Sequence, residues 1–206
     1  MATFGTMKLP PLLVSGQLLR HAVKLPAIAA MMLACVGSVQ AQTAANPAPS
    51  VHPGTRLSFP PSLGGATLEQ SASQDGSTTY LYSINKMQIF VYIADFGRRV
   101  PSGSDSPVLL NMFTADLNDV TAKMKSAGFG QLERPAVPSS CPYGSFTFRC
   151  IVYSVNSTGG RLYGKLLMTG YHDSFVKIRI DWSAANGSTQ ADADRALESF
   201  VPALMH

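Results

Sequence analysis

The chain has 206 residues, room for one ordinary domain with a sizeable core. Its formal net charge is +4, but Lys8, Arg20 and Lys24 lie before residue 42 and no acidic residue does, so the remainder is close to neutral. That balance argues against the concentrated positive footprint of a general nucleic-acid binder.

Residues 1–41 read as a secretory leader. The three cations form a positive n-region, LPAIAAMMLACV (Leu25 to Val36) has the length of an h-region, and Val39 and Ala41 occupy the small-residue positions of a cleavage site before Gln42. The apolar run is too short to span a bilayer as a helix, so no transmembrane segment is expected in the mature chain. Met7 is an alternative start to Met1. Cys35 offers an alternative anchor as a lipoprotein: Ala34 fits a lipobox, whereas Met32 and Leu33 do not. Residues 42–55, rich in Ala, Pro and Ser, read as a flexible tether, and residues 56–206 as a single domain.

The domain opens with apolar residues scattered around Pro60-Pro61 and Gly64-Gly65, the pattern of a short edge strand, a turn and a second strand near Thr67 to Ser71. Tyr80–Ile84 and Met87–Ala94, separated by Asn85-Lys86, predict a β-hairpin. The arm MQIFVYIA is apolar on both faces and belongs in the middle of a sheet. After the loop Phe96–Asp105, Ser106 and Pro107 supply an N-cap and a first helical position. Leu109, Phe113, Leu117, Val120, Met124 and Ala127 then recur at steps of three and four as one buried stripe, and Gly128 stops the helix. Three strands follow, Ser145–Val155, Arg161–Gly170 and Ser174–Trp182, joined by turns at 157–160 and 171–173. A last helix starts after Thr189, with Ala193, Leu197, Phe200, Val201 and Leu204 facing inward. The expected fold is α+β: an antiparallel sheet with two main helices on one face, in the order β-β-β-β-α-β-β-β-α.

Cys141 and Cys150 are the two cysteines that remain after the leader. An even pair in an oxidising compartment reads as a disulfide, with two free core thiols as the alternative. Their spacing is not C-x-x-C, and no zinc ligand set accompanies them. Fully extended, the chain would separate their Cα atoms by about 30 Å, so a disulfide requires it to turn back near Pro142-Tyr143-Gly144. Closing a loop of about ten residues is worth roughly 2.5–3 kcal/mol in the chain-entropy model.

Alternation along the last three strands sorts two faces. One collects Phe146, Phe148, Cys150, Val152, Leu162, Leu166, Met168, Val176, Ile178, Ile180 and Trp182, and is apolar enough to lie under both helices. The other collects Thr147, Arg149, Ile151, Tyr153, Tyr163, Lys165, Leu167, Phe175, Lys177, Arg179 and Asp181. If that second face is open, Arg149, Tyr163, Lys165, Lys177 and Arg179 are candidate binding residues for an anionic or aromatic ligand. A solvated sheet face with Asp181 neutralising a neighbour is the competing reading.

Catalytic signatures are missing. Of four histidines, His21 lies in the leader, His52 in the tether and His206 at the last position, which leaves His172 within the body of the domain, next to Asp173 and Ser174 in an expected turn, where adjacent side chains rarely achieve the geometry of a relay. LGGA and TGGR match neither phosphate-loop nor dinucleotide patterns, and no metal motif or cofactor motif is present. No catalytic, metal or cofactor residue is assigned.

The segments LSFPPSLGGATLEQ, MQIFVYIADFG and GKLLMTGYHDSFVKIRIDW resemble a group of uncharacterised exported proteobacterial proteins over most of residues 55–206. The element order is also similar to that of the PsbP-type photosystem extrinsic proteins and the DcrB-type envelope lipoproteins. The resemblance implies a periplasmic domain and transfers no site residue. The expectation is a non-enzymatic binding or interaction domain of the cell envelope, with an envelope protein or a small anionic ligand as partner. It would act through the sheet face or the loop Phe96–Asp105. The alternative is a small periplasmic hydrolase whose site gathers around His172, Asp173 and Asp95.

Overall fold

The computed structural model describes residues 49–206 apart from Asp75, Phe96 and Arg98. The expected leader, Cys35 and the first half of the tether lie outside the described residues. The chain runs β1 (Ser50–Val51), β2 (Ser58–Phe59), β3 (Ser62–Leu63), β4 (Ala66–Gln74), β5 (Ser77–Ile84), β6 (Met87–Ala94), α1 (Pro107–Ser126), β7 (Ser139–Tyr143), β8 (Phe146–Ser157), β9 (Gly160–Tyr171), β10 (Ser174–Ser183) and α2 (Gln190–Leu204). The α+β class, the antiparallel pairing and the order of strands and helices are as expected.

Eight strands form one antiparallel sheet in the order β3-β4-β5-β6-β10-β9-β8-β7. The doubly apolar strand β6 sits inside it, between β5 and β10, so both of its faces find cover. The hairpin joining β5 to β6 turns through Asn85 (φ 47°) and Lys86 (φ 63°), and that joining β9 to β10 through His172 (φ 46°) and Asp173 (φ 59°). Both central residues in the left-handed region are what a two-residue hairpin loop requires, because that turn matches the twist of its strands.

The helices begin where capping chemistry places them. Ser106 Oγ accepts the Leu109 N–H at 3.1 Å, with Pro107 opening α1. Thr189 and Asp192 form a reciprocal capping box on α2, each side chain accepting the other's backbone N–H.

Where the helices lie corrects the sequence reading. They occupy opposite faces of the sheet, not one. Leu109, Phe113, Leu117 and Val120 of α1 pack with Ile151, Tyr153, Leu166, Met168 and Phe175. Ala193, Leu197, Phe200, Val201 and Leu204 of α2 pack with Phe148, Cys150, Leu167, Val176, Ile178, Ile180 and Trp182. Sequence neighbours such as Cys150 and Ile151 therefore serve different cores, as alternation along a strand dictates.

The far end of the expected tether also differs. Ser50 and Val51 pair with Phe59 and Ser58, Thr55 is fully buried, and Phe59 stacks on Tyr80 with ring centroids 3.5 Å apart. His52 holds this turn: its Nδ1 accepts the Thr55 N–H at 3.2 Å, and its backbone N–H donates to Leu57 O at 2.9 Å. Among the described residues no helix is long and apolar enough to cross a membrane.

Candidate functional site

The five residues expected to share one face do not. Arg149, Lys177 and Arg179 lie on the α1 side of the sheet. Lys165 pairs across β9–β10 with Ile180, and Tyr163 with Trp182, which puts both on the α2 side. Nor is the α1 side open, because the helix packs on it.

Each of the four cations meets a carboxylate. Lys177 Nζ lies 2.5 Å from Asp116 Oδ1 on α1 and 4.6 Å from the centre of the Tyr92 ring. Arg179 pairs with Asp181 at 2.9 Å and stacks over Phe90, its Cζ 4.3 Å from the ring centre. Arg149 meets Asp105 at 3.2 Å, and Lys165 meets Asp194 of α2 at 2.7 Å. Tyr163 stacks on Trp182, and the Arg161 Cζ lies 5.7 Å from the centre of the Tyr163 ring.

Between α1 and the sheet the Lys177–Asp116, Arg179–Asp181 and Arg149–Asp105 pairs form a polar island. Tyr153 donates its hydroxyl proton to Asp181 at 3.3 Å. It can lie against β9 because its cross-strand partner is Gly164: a Cβ there would stand 2.3 Å from the Tyr153 ring. Burial pushes the Asp181 carboxyl above its ordinary range, against the pull of Arg179. Burial raises the Tyr153 phenol as well, helped by the charge of Asp181. Asp116 Oδ2 and the Nε atoms of Arg149 and Arg179 are buried without a hydrogen-bond partner among the described residues. The island is held together by charge pairing and ring contacts, and its cations are spent on its own carboxylates.

The residues around His172 are not assembled for catalysis. The imidazole stacks on Tyr171 at 4.3 Å in the exposed β9–β10 turn. The nearby Ser174 hydroxyl donates to the backbone oxygen of His172 at 3.5 Å, not to its ring, and Asp95 accepts the Gly97 N–H at 3.0 Å. The imidazole that does feel Asp95 is His52, which the sequence reading placed in the tether. Burial lowers its pKa, and the charge of Asp95 opposes that shift without reversing it. Of the loop Phe96–Asp105, Phe96 and Arg98 lie outside the described residues. Val100 is buried in the α1 core, and Gly103 exchanges backbone hydrogen bonds with Gly170 at 2.9 and 3.0 Å. Among the described residues no three His, Cys, Asp or Glu side chains converge as a metal site.

A cleft of about 410 Å³ opens elsewhere, between the β5–β6 turn and the flank of α2. Ile84, Asn85, Lys86 and Met87 form one wall, and Asp192, Arg195, Ala196 and Ser199 the other. The second set recurs at helical spacing, so it is one stripe along α2. Asn186, Gly187 and Ser188 close one end, with Gly187 at φ 79° allowing the chain to turn into the helix.

The cleft's electrostatics favour negative charge. Asp192 is its one acidic lining residue, and its carboxylate is engaged by the Thr189 hydroxyl at 2.7 Å, by the Thr189 N–H at 3.0 Å and by Arg195 Nη1 at 3.1 Å. Those bonds from Thr189 hold it below the usual carboxylate range, so it stays ionised. Arg195 remains 72 % exposed, and Lys86 is exposed on the opposite wall. Two amides and two hydroxyls complete a lining suited to polar recognition. In the sequence Asn85-Lys86 reads as a turn and Arg195 carries no signal of its own, because the cleft exists only once segments about a hundred residues apart come together. No protein-family model matches this chain, and no curated protein matches it.

Proposed function

We propose that this chain is exported to the periplasm behind a leader cleaved after Ala41. There it serves as a non-enzymatic binding domain of the cell envelope, holding a small anionic ligand in the cleft beside α2. The observation that carries the reading is one small cleft lined by Lys86, Arg195 and a single carboxylate, Asp192, so that its cations outnumber its anions even with Arg195 paired to Asp192. A volume of about 410 Å³ suits a small molecule. Arg and Lys together supply fork-shaped and point-like donors to a carboxylate or phosphate, and the amides and hydroxyls would fix its orientation. The charge–grease–small-residue order of residues 1–41 supports export, as does the proximity of Cys141 and Cys150, whose Cα atoms are 6.0 Å apart in a disulfide. The similarity in element order to envelope proteins of the DcrB type points the same way.

Citrate and inorganic phosphate are suitable probes. Titrated into the mature protein, at least one should shift the amide NMR signals of residues 84–87 and 186–199. Lys86→Glu and Arg195→Glu, both at exposed positions, should each weaken that binding by ten-fold or more, the loss of roughly one charged hydrogen bond plus a repulsion. Shifts confined to other parts of the molecule, or affinity indifferent to both charge reversals, would defeat the assignment. Mass spectrometry of ligand retained on protein isolated from the periplasm would identify the natural occupant.

A further inference from the structure

The two edges of the sheet are finished in different ways. At one edge, β7 carries Pro142, which cannot donate to another strand, and is tied to β8 through Cys141–Cys150. Beyond β7, the outer side of β8 is covered by the Glu133–Ser154 bridge and by Gly130 N–H on Asn156 O at 3.0 Å. At the other edge, β3 pairs only with Ala66 and Thr67 of β4, and Pro61 O accepts the Leu68 N–H. From Glu69 to Gln74 the outer side of β4 meets no backbone partner among the described residues, and all six residues are exposed.

That open stretch lacks the usual deterrents to pairing. It holds no Pro and no Lys. Its single bulge falls between Leu68 and Gln70, so the strand is regular from Gln70 onward. Glu69, the one charge, is already taken up by the Ser83 hydroxyl at 2.5 Å. The regular part reads Gln70-Ser71-Ala72-Ser73-Gln74, the same in both directions about Ala72.

We propose that two copies of this chain associate through this edge, antiparallel about a two-fold axis at Ala72, joining their sheets into one. A two-fold contact places residue i of one copy against residue j of the other and j against i. The palindrome then sets Gln70 against Gln74, Ser71 against Ser73, and Ala72 against itself. Gln side chains carry both a donor and an acceptor, and so do Ser hydroxyls, so each like pair is self-complementary. The small central residues put no bulk in the way of the backbone hydrogen bonds. The contact is short, well under the 1,200–2,000 Å² or so of a standard stable interface, so the dimer is weak and concentration-dependent.

Ala72 provides a test that leaves the fold alone, since its side chain is exposed on an edge. Sedimentation of the mature protein between about 10 μM and 1 mM should show mass rising towards a dimer. Ala72→Lys and Ala72→Glu each place like charges face to face on the axis and should remain monomeric over that range. An equimolar mixture of the two should dimerise again, which a folding defect would not allow. Ala72→Cys should form an intermolecular disulfide on oxidation, because directly opposed Cα atoms lie at about 4.5–5.5 Å. Gln74→Cys should not, because it faces position 70 of the second copy. A wild-type protein that is monomeric throughout, or a dimer that ignores both charges, overturns the proposal. So does capture of a different polypeptide by Ala72→Cys in place of a second copy, which would assign the edge to a heterologous strand.

Discussion

His52 shows how one side chain converts a nominal tether into part of the fold. Its Nδ1 accepts the Thr55 N–H, which requires a neutral ring, and burial lowers its pKa below the ordinary 6.5. The folded state thus prefers the deprotonated imidazole. Its contribution to stability is full above pH 6.5 and is lost as pH falls from there through the lowered folded value. Asp181 acts in the opposite sense: its carboxyl is raised by burial, so what it contributes is greatest at low pH and fades as pH rises through the raised value. His52→Asn separates the two, because the Asn carbonyl can still accept from the Thr55 N–H and carries no titrating group. Thermal unfolding should show the wild type losing more Tm than His52→Asn between about pH 7.5 and pH 5. Equal losses would mean that the imidazole does not govern the docking of residues 50–59.

At the scale of elements, the disulfide and the strand registers show what pattern reading reaches. Cys141 pairs opposite Phe148, two residues from Cys150 on the same face, so the bridge runs diagonally across the β7–β8 hairpin. The turn falls at Gly144-Ser145 and Pro142 stays inside the edge strand, one step from where the sequence suggested. Replacing both cysteines by serine should cost about 2–3 kcal/mol in guanidinium unfolding while leaving the far-ultraviolet spectrum unchanged, because the hairpin is also held by its ladder. Helix starts were legible for a local reason: Ser106 and Thr189 cap the residues three positions on. The assignment of β9 to faces was not. Its run Leu166-Leu167-Met168 is apolar on both sides, so alternation gives no phase. The phase comes from the hairpin loops, which pair Ser157 with Gly160 and Tyr171 with Ser174. A two-residue loop sets odd positions against even ones. The expected faces instead grouped the even positions of all three strands together, which puts β9 in the opposite phase and Lys165 and Tyr163 on the wrong side. The α1 face was also hard to recognise as a core, because Ile151, Leu166, Met168 and Phe175 share it with Arg149, Lys177 and Arg179. It becomes a core only when Asp116 and Asp105 arrive from outside the strands to pair with Lys177 and Arg149. The cleft left no local signal, since neither of its walls has a pattern of its own.

Over the whole molecule, one sheet serves two cores that share no side chains but do share strands. Cys150 and Ile151, Leu166 and Leu167, and Phe175 and Val176 are adjacent pairs with one member in each core. Shifting a strand to fill a gap on one side must therefore disturb packing on the other, since close-packed interiors transmit strain. That coupling predicts a single unfolding transition despite the separate cores. Leu109 of α1 and Leu197 of α2 are both fully buried, one on each side, and either change to Ala should cost about 2–5 kcal/mol. The sole tryptophan, Trp182, lies in the α2 core and reports on that side alone. The informative variant is accordingly Leu109→Ala, whose cavity opens on the far side of the sheet from the probe. In urea, its Trp182 fluorescence midpoint should fall together with the midpoint of its far-ultraviolet signal, by the same amount and with the slope of the wild type. If helical signal were lost first while Trp182 kept its wild-type midpoint, α1 would be an independently melting cover and the two cores would be energetically separate.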